Sequence, residues 1–337
     1  MTWNTTRRWA VAGMGATLVA TLSACGGNLG GGGGGDDAAA SFPDGPITLL
    51  IGQDPGGSTD LIGRALAEIA SDELGVAISV ENRPGANGAL AAEELAGSEP
   101  DGQTLMVFNG TLAYITPLAV SEDEAQDIND FTVVTGISQD DYVLVTAADS
   151  GIASIDDITA AGSVTYGTTG VGTGSQLSTA LLTGELGVEA TPVPFDGGAP
   201  TLTAVLGGQV DIAAIQLGEA FSQIEAGELT PIVTFAAERN EFLPDVPTAV
   251  EEGYADAEVQ QSRAIVAPDG TPDEVVSALQ DAFDTAFADS GYQDFNADRL
   301  LTANEIDGSE LQTVWSDNLE NYRSLTEEYG IDLGGGA

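Results

Sequence analysis

From residue 47 to residue 267, short apolar runs of strand length alternate with stretches of helical period, and few folds accommodate that order. The strand-like runs are Ile47–Ile51, Ala77–Glu81, Thr104–Phe108, Tyr142–Thr146, Val164–Gly167, Thr191–Phe195, Asp211–Gln216, Pro231–Phe235 and Arg263–Ala267. Between them lie amphipathic stretches such as Asp60–Asp72, in which Leu61, Ala65, Leu66 and Ile69 fall on one face. Such alternation predicts an α/β architecture with largely parallel sheets. Helices dominate the C-terminal part, where Pro272 after Thr271 is placed to open one and Leu311–Glu328 forms another. No internal repeat of solenoid period is present.

In sheets of this kind ligands gather at the carboxyl ends of strands, where a glycine-rich turn feeds a helix. Two loops fit. The first is Gln53-Asp54-Pro55-Gly56-Gly57-Ser58-Thr59-Asp60, and the second is Thr168-Thr169-Gly170-Val171-Gly172-Thr173-Gly174-Ser175. Each offers backbone N–H donors and hydroxyls at a helix N-terminus, a receptor suited to a carboxylate or phosphate. The plainer alternative is that Ser58, Thr59, Asp60 and Ser175 only cap their helices. The second loop is not a dinucleotide fingerprint, because Gly170, Gly172 and Gly174 are spaced by two throughout.

Composition narrows the chemistry. The 337 residues carry 8 Lys+Arg against 53 Asp+Glu, a formal charge of −45, and every basic residue is Arg. A field of that sign repels phosphate backbones and anionic lipid, so no nucleic-acid partner is expected. Without Lys there is no Walker-type phosphate loop or Schiff base, and without His no imidazole triad or imidazole metal site. No pair of carboxylates is singled out by spacing for hydrolysis, no calcium loop of EF-hand pattern occurs, and no catalytic residue, metal or cofactor is expected. Hydrophobic residues make up 42% and the acids are dispersed among apolar runs. The charge therefore reads as the solvated shell of a globular protein from a high-salt habitat, where screening weakens self-repulsion.

The N-terminus reads as an address. Arg7-Arg8, an apolar stretch from Trp9 to Leu22, and Ser23-Ala24 before the single cysteine, Cys25, describe an export signal over residues 1–24. The arginine pair hints at twin-arginine export. Leu22-Ser23-Ala24-Cys25 resembles a prokaryotic lipobox, in which Cys25 would be acylated; removing the signal would move the net charge from −45 to −47. Residues 25–45, with an unbroken glycine run from Gly30 to Gly35, read as a flexible tether. A soluble body held at a membrane favours a capture protein.

Several motifs resemble one family. Asp54-Pro55-Gly56-Gly57-Ser58-Thr59-Asp60, Glu81-Asn82-Arg83-Pro84-Gly85-Ala86, Pro100-Asp101-Gly102-Gln103-Thr104-Leu105, Gly197-Gly198-Ala199-Pro200, Leu206-Gly207-Gly208-Gln209-Val210-Asp211, Leu243-Pro244-Asp245-Val246-Pro247-Thr248 and Ala267-Pro268-Asp269-Gly270-Thr271-Pro272 are similar, in order, to the substrate-binding proteins of tripartite tricarboxylate transporters, the Bug or TctC family. The resemblance implies a type II periplasmic-binding-protein fold, with lobe 1 from residues 46–136 plus 264–337 and lobe 2 from 137–263. It implies a monomeric, non-enzymatic extracytoplasmic receptor, lipid-anchored to the outer face of the cytoplasmic membrane, that captures a small carboxylate and delivers it to membrane permease subunits. A ligand-sensing subunit of a signalling system would look the same in sequence. Carried over from the family, ligand contacts fall at Gly57, Ser58, Thr59 and Asp60, at Thr168, Thr169, Thr173 and Ser175, and at Asn109 and Gly197. Asp60 would accept from bound waters or cap its helix, since a bare carboxylate repels another.

One departure stands out. Where the family reads Ser-Trp-Tyr-Gly-Leu, this chain has Gln261-Ser262-Arg263-Ala264-Ile265. Arg263 either reaches the cleft and grips a second carboxylate of the ligand in bidentate fashion, or pairs at the surface with an acid such as Glu258. Arg64, Arg83 and Arg239 match family arginines and are expected to be structural.

Overall fold

The computed structural model describes residues 42–334. The predicted signal, Cys25 and most of the predicted tether lie outside these residues.

Nine strands form one curled mixed sheet in the order β2-β1-β3-β9-β4-β7-β5-β6, with β8 also pairing β4. They are β1 (Ile47–Ile51), β2 (Ile78–Asn82), β3 (Thr104–Asn109), β4 (Phe131–Ala147), β5 (Ser163–Thr168), β6 (Glu189–Pro194), β7 (Ile212–Gln216), β8 (Leu229–Thr234) and β9 (Gln260–Pro268). The longer helices are α1 (Ser58–Leu74), α2 (Ala89–Ala96), α4 (Ile155–Ala161), α5 (Gly174–Leu186), α6 (Gly198–Leu206), α7 (Leu217–Glu225), α8 (Asp273–Ala288), α9 (Ser290–Arg299) and α10 (Gly308–Tyr329), with a single turn, α3, at Thr111–Tyr114. Among the described residues no helix is long and apolar enough to cross a membrane.

The expected parallel pairing holds at the two flanks and fails in the middle. β1 runs parallel to β2 and β3, and β5 parallel to β6 and β7. The long strands β4 and β9 pair antiparallel with each other and with β3 and β7. They are the crossovers that carry the chain between the two flanks. Only the end of β4, Tyr142–Thr146, stands out in sequence as an apolar run, because Gly136, Ser138, Gln139, Asp140 and Asp141 interrupt the apolar pattern before it. Ladder pairing with β9 buries that stretch instead.

Both flanks share a connection. In 2-1-3 and in 6-5-7, the chain leaves the central strand for one neighbour and then returns to the other side. The carboxyl ends of β1 and β5 are therefore topological switch points, where crossovers diverge and leave a crevice. The two glycine-rich loops occupy these two places.

Helix ends follow local chemistry. Gly75 and Gly330 adopt left-handed backbone at the ends of α1 and α10, and Asp307 caps α10 by accepting from the Ser309 N–H at 2.8 Å. Pro272 sits at the cap rather than inside α8. Three apolar clusters hold the layers: Leu49, Ile51, Ile62, Leu66 and Phe283 under α1 and α8; Val143, Val145, Val205 and Ile215 under α6 and α7; and a larger one around Phe108, Phe131, Leu144, Leu181 and Trp315.

Candidate functional site

Between the two flanks lies a cleft of about 1520 Å³, lined by both glycine-rich loops, the start of α6, the ends of β3 and β7, and the crossover strand β9. This exceeds the roughly 300–1,000 Å³ usual for small-ligand pockets. A small solute bound on one flank would leave space that closure or water must fill.

The first loop is shaped by Asp60. Gly56 takes φ +89°, a turn that glycine adopts without steric cost, and its N–H donates to Asp60 Oδ2 at 2.8 Å. Asn82 Nδ2 and Arg64 donate to the same carboxylate at 2.9 and 3.1 Å, Arg64 also forming an ion pair with it. Burial pushes this carboxyl up, but the hydrogen bonds from Arg64, Gly56 and Asn82 outweigh it and hold the pKa below the usual carboxylate value. Asp60 is 2% exposed and lies under the loop rather than on the cleft wall. Above it, no side chain caps α1. The N–H groups of Ser58, Thr59 and Asp60 have no acceptor among the described residues, so a bare helix N-terminus borders the cleft.

The second loop is closed on itself. Ser175 Oγ accepts from the Thr169 N–H at 3.2 Å and donates to the Ala214 carbonyl at 2.6 Å. Thr168 Oγ1 accepts from the Gly170 N–H, and Gln176 Oε1 from the Gly172 N–H. Thr173 caps α5 by accepting from the Gln176 N–H at 3.4 Å. Thr168 and Ser175 are fully buried and hold the loop from beneath; Thr169, Gly170, Val171 and Thr173 form its cleft face. Gly197 also lines the cleft, at the uncapped start of α6, as does Asn109, which accepts from Thr59 Oγ1 at 3.4 Å.

Arg263 is buried at the cleft floor and does not pair with Glu258. Strand alternation turns Gln261 and Arg263 toward the cleft, while Ser262 faces the opposite side and is held by Tyr114 and Trp315. Arg263 pairs with Asp140 on the neighbouring crossover. Its Nε donates to Thr59 Oγ1 (3.2 Å), one terminal nitrogen to Ser138 Oγ (3.1 Å) and Asp140, and the other to Ser58 Oγ (3.2 Å) and Gln216 Oε1 (3.4 Å). A guanidinium has five N–H donors, and all five are taken. Burial lowers its pKa to about 10, which leaves it protonated at neutral pH. The bidentate grip on a ligand's second carboxylate thus has no free donor behind it, because Asp140 and the hydroxyls already occupy the fork.

The three arginines that match family positions are peripheral: Arg64 pairs with Asp60, Arg83 with Glu81 and Glu94, and Arg239 with Glu251. Among the described residues no group of three or more Asp, Glu or Cys is placed to hold a metal.

Sequence reasoning missed Asn87, Tyr142, Gln216 and Glu219. Asn87 donates from Nδ2 to the Val171 carbonyl at 2.9 Å and so joins the first flank to the second loop. Gln216 ends β7 and leads directly into α7, with Glu219 in that helix's first turn. This is the same strand-to-helix junction that marked the glycine-rich loops, but with the single glycine Gly218 in place of the clustered glycines that made them visible.

Comparison with known proteins agrees with this arrangement. Residues 62–331 match the tripartite tricarboxylate transporter family receptor, TctC. A UPF0065 protein of the TAR-I ttuE-ttuC' intergenic region of Agrobacterium vitis is 34% identical over 257 residues, covering 74% of this chain and 73% of that protein. Among solved structures, MatC from Rhodopseudomonas palustris with bound malate is 27% identical, with a TM-score of 0.76 over 84% of this chain and 99% of its own. A second R. palustris protein, solved with adipate, is 25% identical with a TM-score of 0.78 over 86% and 99% of the two chains. The neighbours are periplasmic binding proteins, and the chain belongs to the tripartite tricarboxylate transporter receptor family, TctC.

Proposed function

We propose that this protein is an extracytoplasmic receptor that takes up a carboxylate-bearing solute in the cleft and hands it to the permease of a tripartite tricarboxylate transporter. The bare N-terminus of α1 carries the reading: three N–H groups at a switch point, on a helix whose first turn is anchored by Arg263 through Ser58 and Thr59. A carboxylate there would accept from these amides and gain from the helix dipole without needing a free cation. Ser58, Thr59, Asn109, Thr169, Thr173 and Gly197 surround that position, whereas Asp60, Thr168, Ser175 and Arg263 support it. The malate- and adipate-bound relatives favour the same ligand chemistry. A solute touching both flanks stabilises a closed form by its differential affinity, and a permease can read that surface. Export with acylation of Cys25 would keep the receptor at the membrane face.

The test is isothermal titration of the full chain with mono-, di- and tricarboxylates at high salt. Saturable binding of at least one carboxylate is expected; heat-silent titrations across the whole set, with no thermal stabilisation, would refute the reading.

A further inference from the structure

Charge in the cleft is lopsided. Seven carboxylates line it, against the single guanidinium of Arg263, which Asp140 already neutralises. Six of the seven belong to loops and helices that border the opening; Glu219 stands in the interior beside Gln216 and Tyr142. Among the described residues Glu219 makes no hydrogen bond and no ion pair. Its carboxylate packs on the start of α6, where a Cβ on Gly198 would lie 1.5 Å from Oε2, so glycine there leaves the acid its room. Tyr142 gives its hydroxyl proton to Gln261 Oε1 at 2.9 Å, which leaves the phenol oxygen as an acceptor on the same side. Burial raises the pKa of Glu219, as expected for an acid with no partner, and the negative charge of Glu219 helps raise that of Tyr142.

The cleft therefore has two unlike ends. The start of α1 presents backbone donors, whereas the Glu219 corner holds the one interior carboxylate of the cleft without an ion-pair partner. A second carboxylate would meet Glu219 with no unspent cation nearby, whereas a positively charged nitrogen would complete it.

We propose that Glu219 is the specificity-determining residue of this cleft and that the solute is a zwitterion, its carboxylate on the α1 N-terminus and its ammonium group on Glu219. This rests on the carboxylate-receptor reading above.

The test is calorimetric titration of the full chain, at fixed high salt and pH 7, with chain-length-matched sets: linear dicarboxylates, α- and ω-amino acids, glycine betaine, and the corresponding unsubstituted monocarboxylates. Each is repeated on Glu219→Gln, which keeps size and packing. The wild type should bind a zwitterion at least tenfold tighter than the dicarboxylate of equal length. Glu219→Gln should lose that preference tenfold or more while holding monocarboxylate affinity within about twofold. A wild type that prefers dicarboxylates, or a Glu219→Gln variant that keeps its zwitterion affinity, overturns the proposal but leaves the receptor reading standing. Absence of binding by every member of every set overturns both.

Discussion

The two glycine-rich loops occupy equivalent switch points and look alike in sequence, yet they spend their polar groups differently. Around the second loop, the side chains of Thr168, Thr173, Ser175 and Gln176 answer four backbone N–H groups, so the loop is braced by its own residues. At the first, Asp60 answers one N–H from below and the helix start stays bare. Glycine content is thus a poor guide to which turn receives an anion; what matters is whether neighbouring side chains already satisfy the amides. The first loop keeps its shape by a different device, an arginine from a strand about two hundred residues later in the chain.

The largest effect should come from that device. Arg263→Ala would leave Asp140 buried without its counter-ion and is expected to cost about 3–5 kcal/mol in urea unfolding. A loss below about 1 kcal/mol would mean the first loop holds itself, as the second does. Next, Ser175→Ala removes a buried hydroxyl serving the Thr169 N–H and the Ala214 carbonyl and should destabilise by about 1–3 kcal/mol. An unchanged denaturation midpoint would show that the second loop is not braced in this way. Ser58→Pro sharpens the contrast from the other side. Proline suits the first position of a helix, and Gly57 before it already has φ −72° and ψ 167°, which a following proline favours. The change deletes one open N–H together with the hydroxyl that accepts from Arg263, a loss that Ser58→Ala measures alone, and relative to Ser58→Ala affinity for the carboxylate should fall about tenfold, or about 1.4 kcal/mol, by calorimetry. Retained affinity would remove that amide from the site.

Smallest is the acid response of Asp60. Its pKa is lower folded than the usual 3.8, so its contribution to stability is present above about pH 4 and is lost as pH falls through the lower folded value. Melting temperatures of wild type and Asp60→Asn should converge as pH is lowered from 5 toward 2. A gap that stays constant would remove the first loop's clamp from the comparison.

Much of the fold was legible because its signals are local. Apolar runs marked eight of nine strands with small shifts at their ends, and glycine-rich turns before amphipathic helices marked both switch points. β4 was truncated because Ser138, Asp140 and Asp141 are polar, and polarity stands for solvent until a partner strand buries it. Glu219 escaped notice for a related reason: in a chain with 53 acids, nothing local separates one that faces a cleft from those that face water.

The sequence by itself determined the α/β order, the family, the two candidate loops and the lack of imidazole and amine chemistry, since these depend on residue type and near-neighbour spacing. Only the tertiary structure decided which helix start stays bare, that Arg263 is spent on Asp140, and that Glu219 stands unpaired in the cleft. Whether a donor or a charge is free depends on every polar group within hydrogen-bonding reach. For Arg263 those groups come from residues 58 and 59, 138 and 140, and 216, which meet only once the crossover strands have brought the two flanks together.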